Sequence, residues 1–432
     1  MDNAWVYEIK EEFPGLKKAE SWVLCDAAGG TQVHQSVISA ISYELSSTTA
    51  NLCQSYPSAL NVVQNVARAR EVAAKFFNCN SYEIVFGPNM TSLTNNIARS
   101  LGKLLTDKSN IIVTQLDHDA NVSPWVLAAN DKKSTVKLIK FEKSNCKLNL
   151  DELKSKVDEN TKVVALGAAA NSCGSITPIK TAVEIVKNAS KGKALVYVDA
   201  VHYAPHGLID VQEFGCDFLI CSSYKFCGPH AAIMFGKAEL LKSLDPCKLK
   251  ACTELLPGFE SCQESRWETG TASFEAIAGI KAAIEYLGSI GVRSKRCNST
   301  ESLRKKLQSG YDAIISHENK ISETFLKEIS KINGLTVYGA NYVNDIQDRT
   351  PTFAINMTQH TAPQLAQELV NRGIACAAGD FYAINFPKVL GLETVEGFVR
   401  IAFFHYHTLE DVVRVLRCLK DISANYHPTT EQ

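Results

Sequence analysis

The residues best suited to chemistry are an acid and a lysine that close two neighbouring apolar runs. In Leu195 to Gly228, LVYVDAVHYAPHGLIDVQEFGCDFLICSSYKFCG, one run ends in Asp199 and the next in Ser222-Ser223-Tyr224-Lys225. As strands of a parallel sheet, both would deliver their last residues to the edge where open α/β sheets place ligands. A carboxylate and an amine converging there suit opposite sides of one planar cofactor. The lysine would form an imine with an aldehyde, and the acid would hold a pyridine nitrogen protonated so that the ring accepts electrons from a substrate carbanion. Those requirements together point to pyridoxal 5'-phosphate. Taken alone, the pair reads as a strand-end acid and a surface lysine.

The elements around the pair support the first reading. From Asn61 to Phe77 apolar residues recur at helical spacing, which predicts a helix. After it, short apolar runs (Ile84–Phe86, Ile111–Thr114, Val136–Phe141, Val163–Gly167, Leu195–Val198, Phe218–Cys221, Ala232–Phe235) alternate with longer helical patterns. That rhythm predicts an α/β fold with a large, mostly parallel sheet covered on both faces. The rhythm changes between Pro257 and Glu275, and long helical patterns follow. We therefore expect a large domain over 20–280 and a smaller C-terminal α+β domain over 281–432, with segment 1–19 packed on the smaller one.

Composition narrows the function. The 432 residues carry 45 Lys plus Arg against 46 Asp plus Glu, so no global field draws the chain to nucleic acid or to anionic lipid. The first eighteen residues lack an apolar core like that of a secretory signal, and no stretch approaches the ~20 apolar residues of a membrane span. A cytoplasmic protein with a small-molecule partner is expected. Fourteen cysteines in a chain of this length are too sparse for a disulfide scaffold, and no C-x-x-C pair suggests a metal. Nucleotide, α/β-hydrolase and metalloprotease motifs are also missing.

Other candidates gain meaning from position. Phe86-Gly87-Pro88-Asn89-Met90-Thr91 falls between a strand and a helix, so its backbone N–H groups and the Thr91 hydroxyl can face an anion. The plain reading of Thr91 is a helix N-cap. His118 alone would be an ordinary polar loop residue, and Arg400 alone a solvent-facing strand arginine.

In this order the segments resemble the class V aminotransferase family of fold-type I pyridoxal-phosphate enzymes, and within it the group II cysteine desulfurase-like branch. The family pattern D-x-x-Q…S-x-H-K reads here as Asp199-Ala200-Val201-His202 and Ser222-Ser223-Tyr224-Lys225. The resemblance implies that Lys225 is the Schiff-base lysine, that Asp199 pairs with the pyridinium nitrogen and that His202, in place of glutamine, reaches the ring hydroxyl. Asp117-His118-Asp119-Ala120-Asn121 with Pro124-Trp125 is similar to E-H-H-A-N-x-x-P-W, which implies that His118 stacks on the ring and can carry protons. Asn89, Met90 and Thr91 would form the phosphate cup, completed by Ser222 and Tyr224. Asn171 would meet cofactor and substrate. Glu268-Thr269-Gly270-Thr271 resembles an E-x-G-T segment whose threonine, here Thr271, reaches the neighbouring subunit's phosphate, so a homodimer is implied. Ala28, within Leu24 to Gly30, would line the substrate side, and Arg400 would clamp the substrate carboxylate.

The pattern breaks at one loop. Group II desulfurases carry a persulfide-forming cysteine in R-x-G-H-H-C-A, whereas this chain reads Ala377-Ala378-Gly379-Asp380-Phe381-Tyr382-Ala383. Tyr382 stands at the nucleophile position, and a phenol with a pKa of about 10 cannot replace a thiolate. Cys376, six residues earlier, has a packing role as its simplest reading. The expected activity is therefore β-elimination with C–S cleavage from a small amino acid or its S-conjugate, without an enzyme persulfide and with Tyr382 in the substrate pocket. An epimerase, an aminotransferase or an inactive dimeric scaffold would share most of these residues.

Overall fold

The computed structural model describes residues 4–47, 50–52, 54–258, 265–339 and 343–424. In chain order its strands are β1 Val23–Leu24, β2 Ile84–Gly87, β3 Asn110–Thr114, β4 Thr135–Ile139, β5 Thr161–Gly167, β6 Leu195–Asp199, β7 Phe218–Ser222, β8 Ala232–Gly236, β9 Leu335–Tyr338, β10 Thr352–Met357, β11 Ile374–Ala375, β12 Ala377–Gly379 and β13 Phe398–Ala402.

Seven strands form one sheet in the order β2-β8-β7-β6-β5-β3-β4. Only β8 runs against its neighbours; the pairs from β7 to β4 are parallel. Successive side chains of a strand alternate between sheet faces, and here both faces are buried. Val196 and Val198 of β6 join one apolar core together with Leu219 and Cys221 of β7. Tyr197, Phe218 and Ile220 join the core on the other face. The unbroken apolar runs in the sequence follow from this burial on both faces.

The second sheet is antiparallel, in the order β12-β13-β10-β9, over a core that includes Phe325, Phe353 and Phe403. This is the α/β architecture expected from the sequence, a large mostly parallel sheet followed by a smaller C-terminal sheet-and-helix region. Two long helices, Phe274–Arg293 and Leu303–Ile329, lie between the sheets in sequence. They approach backbone to backbone: a Cβ on Gly291 would come within 2.6 Å of the Lys306 carbonyl oxygen.

The chain's beginning touches both regions. Trp5, Val6 and Ile9 of a short helix enter the large core, while Tyr7 and Lys10 bond to Glu410 and Asp411 at 2.8 Å each. β1 then pairs in parallel with β11. The helix expected over Asn61–Phe77 runs over Pro57–Phe77, one turn longer than its apolar pattern. Proline lacks the N–H that a first turn leaves unpaired, and Asn78 ends the helix in the left-handed conformation at φ 59°. No helix among the described residues is long and apolar enough to cross a membrane.

Candidate active site

The strand ends of the large sheet meet in one place. Gly87, Thr114, Gly167, Asp199 and Ser222 close β2, β3, β5, β6 and β7, and the segments that follow them line a cavity of about 350 Å³. Ala28, Asn89, Met90, Thr91, His118, Asn171, Asp199, His202, Ser222, Tyr224, Lys225, Tyr382 and Arg400 are all on its wall. Thr271 is the one candidate that the single chain does not bring there: it is exposed. Its neighbours Gly270 and Ala272 line a separate cavity of about 770 Å³.

Lys225 donates from Nζ to the Ala28 carbonyl, and to that of Gly29 at 3.1 Å. Burial, helped by the Arg400 charge, lowers its pKa to about 7, against the pull of Asp26 and Asp199. Asp199 accepts the Val201 N–H at 2.9 Å, and burial raises its carboxyl to about 6 despite that bond and the Lys225 charge. Both groups thus sit where desolvation works against their charged forms, a condition that favours chemistry near neutral pH.

His118 accepts the Ala120 N–H on Nδ1 at 3.0 Å, which places the proton of the neutral ring on Nε2. Burial and the Lys225 charge lower its pKa to about 4. The His202 Nε2 lies 3.1 Å from the Thr350 hydroxyl, and its buried Nδ1 has no protein partner. Asn171 donates to the Phe381 carbonyl at 3.0 Å, while its Oδ1 is likewise buried without a partner.

At the start of helix Met90–Leu101, Ser222 Oγ accepts the Met90 N–H at 3.1 Å. The N-cap is Asn89, whose side chain accepts the Ser92 N–H at 2.8 Å. This corrects the plain reading of Thr91 as the cap. Thr91 is the second residue of the helix, exposed on the cavity wall, because the helix begins two residues earlier than a Thr91 cap would place it.

Arg400 arrives from β13 of the second sheet and is buried, so it is not a solvent-facing arginine. Its guanidinium lies 3.9 Å from the Phe381 ring centre. Phe381 and Tyr382 are consecutive residues with positive φ, 54° and 59°. The strained turn is tied to the histidine loop by a 2.7 Å bond from the Asp119 N–H to the Tyr382 carbonyl. The Tyr382 ring is 68% exposed at the mouth, 5.4 Å from the His118 ring.

The sequence reading missed Asp117 on this wall. It accepts from Asn121 Nδ2 at 2.9 Å and from the Gly167 N–H at 3.1 Å, and burial with the nearby Asp199 charge raises it to about 7. The available signal was its place beside His118, at the acid of E-H-H-A-N.

These residues fit pyridoxal 5'-phosphate. The cavity offers a desolvated amine, a buried carboxyl, a helix N-terminus with Asn89, Thr91 and Ser222 around it, and two buried polar atoms, Asn171 Oδ1 and His202 Nδ1, without protein partners. Among the described residues no group of three or more His, Cys, Asp or Glu is placed to hold a metal ion.

Comparison with known proteins agrees. The model of the aminotransferase class V family matches residues 23–415. The chain is 28% identical over 424 residues to the aminotransferase-like protein FGM3 of Gibberella zeae, covering 96% of this chain and 98% of that one. It is 28% identical over 420 residues to a probable cysteine desulfurase of Halalkalibacterium halodurans, covering 94% and 95%. The apo structure of cysteine desulfurase from Thermococcus onnurineus has the same fold, with a TM-score of 0.83 at 19% identity, covering 97% of this chain and 98% of that one. The chain belongs to the class V aminotransferase family of pyridoxal 5'-phosphate enzymes and is cysteine desulfurase-like within it.

Proposed function

We propose that the protein removes a sulfur group from a small amino acid or its S-conjugate by β-elimination, without forming a persulfide on the enzyme. The observation that carries this reading is the cysteine-free wall of the cavity: none of the described residues lining it is a cysteine, and Tyr382 occupies the mouth. Cys376 packs against the core of the second sheet, and burial pushes its thiol up to about 12, so it stays protonated.

When bound, the cofactor supplies a sink for the electron pair left at the substrate α-carbon. Arg400 binds the substrate carboxylate, and Asp199 holds a proton at the pyridine nitrogen. Once the substrate amine has replaced it on the cofactor's aldehyde, Lys225 would take the α-proton; the released pair forms the Cα–Cβ double bond as the Cβ–S bond breaks and sulfur leaves with the electrons. The Ala120 N–H on His118 Nδ1 and the low pKa of that ring support Lys225, rather than His118, as the base. His118 then donates from Nε2. Tyr382 is the phenol available at the mouth to donate a hydrogen bond to the departing sulfur.

We also read the protein as a homodimer in which Thr271 of one copy serves the cofactor of the other. Supporting this, Thr271 is exposed beside the larger cavity, and the helix Gln35–Ser47 leaves Ile38, Tyr43 and Leu45 exposed.

Three outcomes test these readings. Apoprotein should capture the cofactor covalently, in a form fixed by borohydride, at a rate that rises with pH and is half-maximal near pH 7, because only the neutral amine attacks. Lys225→Ala should yield no fixed cofactor, and capture by that variant would refute the lysine assignment.

During turnover with cysteine, mass spectrometry of alkylated protein should find no persulfide, and Cys376→Ser should keep at least half the activity. Tyr382→Phe should slow turnover roughly tenfold, about 1.4 kcal/mol of barrier. A persulfide on Cys376 would make the protein a desulfurase with a displaced nucleophile.

Mixing inactive Lys225→Ala chains with inactive Thr271→Val chains should restore activity, since one mixed site keeps both groups. No recovery despite proven subunit exchange would refute the shared site.

A further inference from the structure

Arg400 faces the cavity with two of its three guanidinium nitrogens already engaged. Its Nη2 donates to Asp26 Oδ1 at 2.7 Å and its Nη1 to the Asn171 carbonyl at 3.2 Å, while the buried Nε has no protein partner. Asp26 is outside the cavity wall. Its side chain is 42% exposed, against 4% for Arg400.

The carboxylate is built into this place. A Cβ on Gly29 would collide with Asp26 Oδ2, so the glycine leaves it room. The turn is also tied to the strand that carries Arg400, through the Ala402 N–H to the Cys25 carbonyl at 2.8 Å and the Ala27 N–H to the Ala402 carbonyl at 3.4 Å. From the same turn, the carbonyls of Ala28 and Gly29 receive Lys225 Nζ. One short segment therefore meets both the guanidinium and the amine of the site.

We infer that Asp26 is a specificity-determining counter-ion of Arg400, which weakens the binding of simple carboxylates and favours ligands that carry an ammonium group beside the carboxylate. The inference rests on the reading of Arg400 as the carboxylate clamp. A carboxylate taken up by the remaining Nε edge lies near a second anion already sharing that guanidinium, and the two repel. An amino acid brings its own positive charge, which Asp26 attracts as it attracts the Lys225 ammonium. The half-exposed position of Asp26 keeps the effect modest, roughly two- to fivefold in Kd.

Asp26→Asn isolates the charge, because the amide oxygen can still accept from Nη2. The test is calorimetric titration of the holoenzyme with propionate, which lacks the amine, and with L-alanine, which has it but no β-leaving group. In Asp26→Asn, propionate should bind roughly two- to fivefold more tightly while alanine gains less or weakens. Unchanged or weaker propionate binding, or equal tightening of both ligands, would overturn the inference. Asp26→Ser repeats the charge removal with a smaller side chain should the amide disturb the turn. Arg400→Gln separates the two levels of the argument. If propionate affinity survives that change, the clamp reading itself falls; if it is lost while Asp26→Asn fails to tighten binding, only the role of Asp26 falls.

Discussion

The structure depends on holding an amine and a carboxyl, Lys225 and Asp199, at one dry sheet edge. Removing either charge from water is costly, and the pKa directions, down for the lysine and up for the acid, express that cost. Neither group has an opposite charge in direct contact. Lys225 rests on two backbone carbonyls and Asp199 on one backbone N–H. A bound group offering an aldehyde to one and a basic ring nitrogen to the other would compensate both, which supports reading the site as a cofactor site and not as a structural ion pair.

Everything around that edge serves its geometry. A parallel sheet buried on both faces fixes the two strand ends rigidly, because β6 and β7 contribute alternate residues to two separate cores. The antiparallel sheet then brings Arg400 from nearly two hundred residues further along the chain, and the loop at Phe381 covers its guanidinium. A single bond from the Asp119 N–H to the Tyr382 carbonyl joins this loop to the histidine loop. The cavity is therefore walled jointly by residues from both sheets.

Most of the wall was legible in the sequence because each piece is local: a strand end, a turn and a helix start announce themselves within ten residues. What was not legible depends on long-range packing or on an offset of two residues. Thr91 and Asn89 are both good capping residues, and only the onset of the helix decides that Asn89 caps. Asp117 carried a signal at the acid of E-H-H-A-N, but its partner, the Gly167 N–H at the end of β5, is fixed only by packing. The partnership of Asp26 with Arg400 spans 374 positions, and no local pattern records it. Thr271 lies off the wall of the single chain, so the role proposed for it needs a second copy.

The central claim is that Asp199 keeps the cofactor ring protonated while Lys225 holds its aldehyde. The most direct measurement is nitrogen NMR of the protein loaded with cofactor labelled at the pyridine nitrogen. A protonated nitrogen in the wild type that loses its proton in Asp199→Asn is the expected result. An unprotonated nitrogen in the wild type, or the same protonated signal in both proteins, would contradict the account.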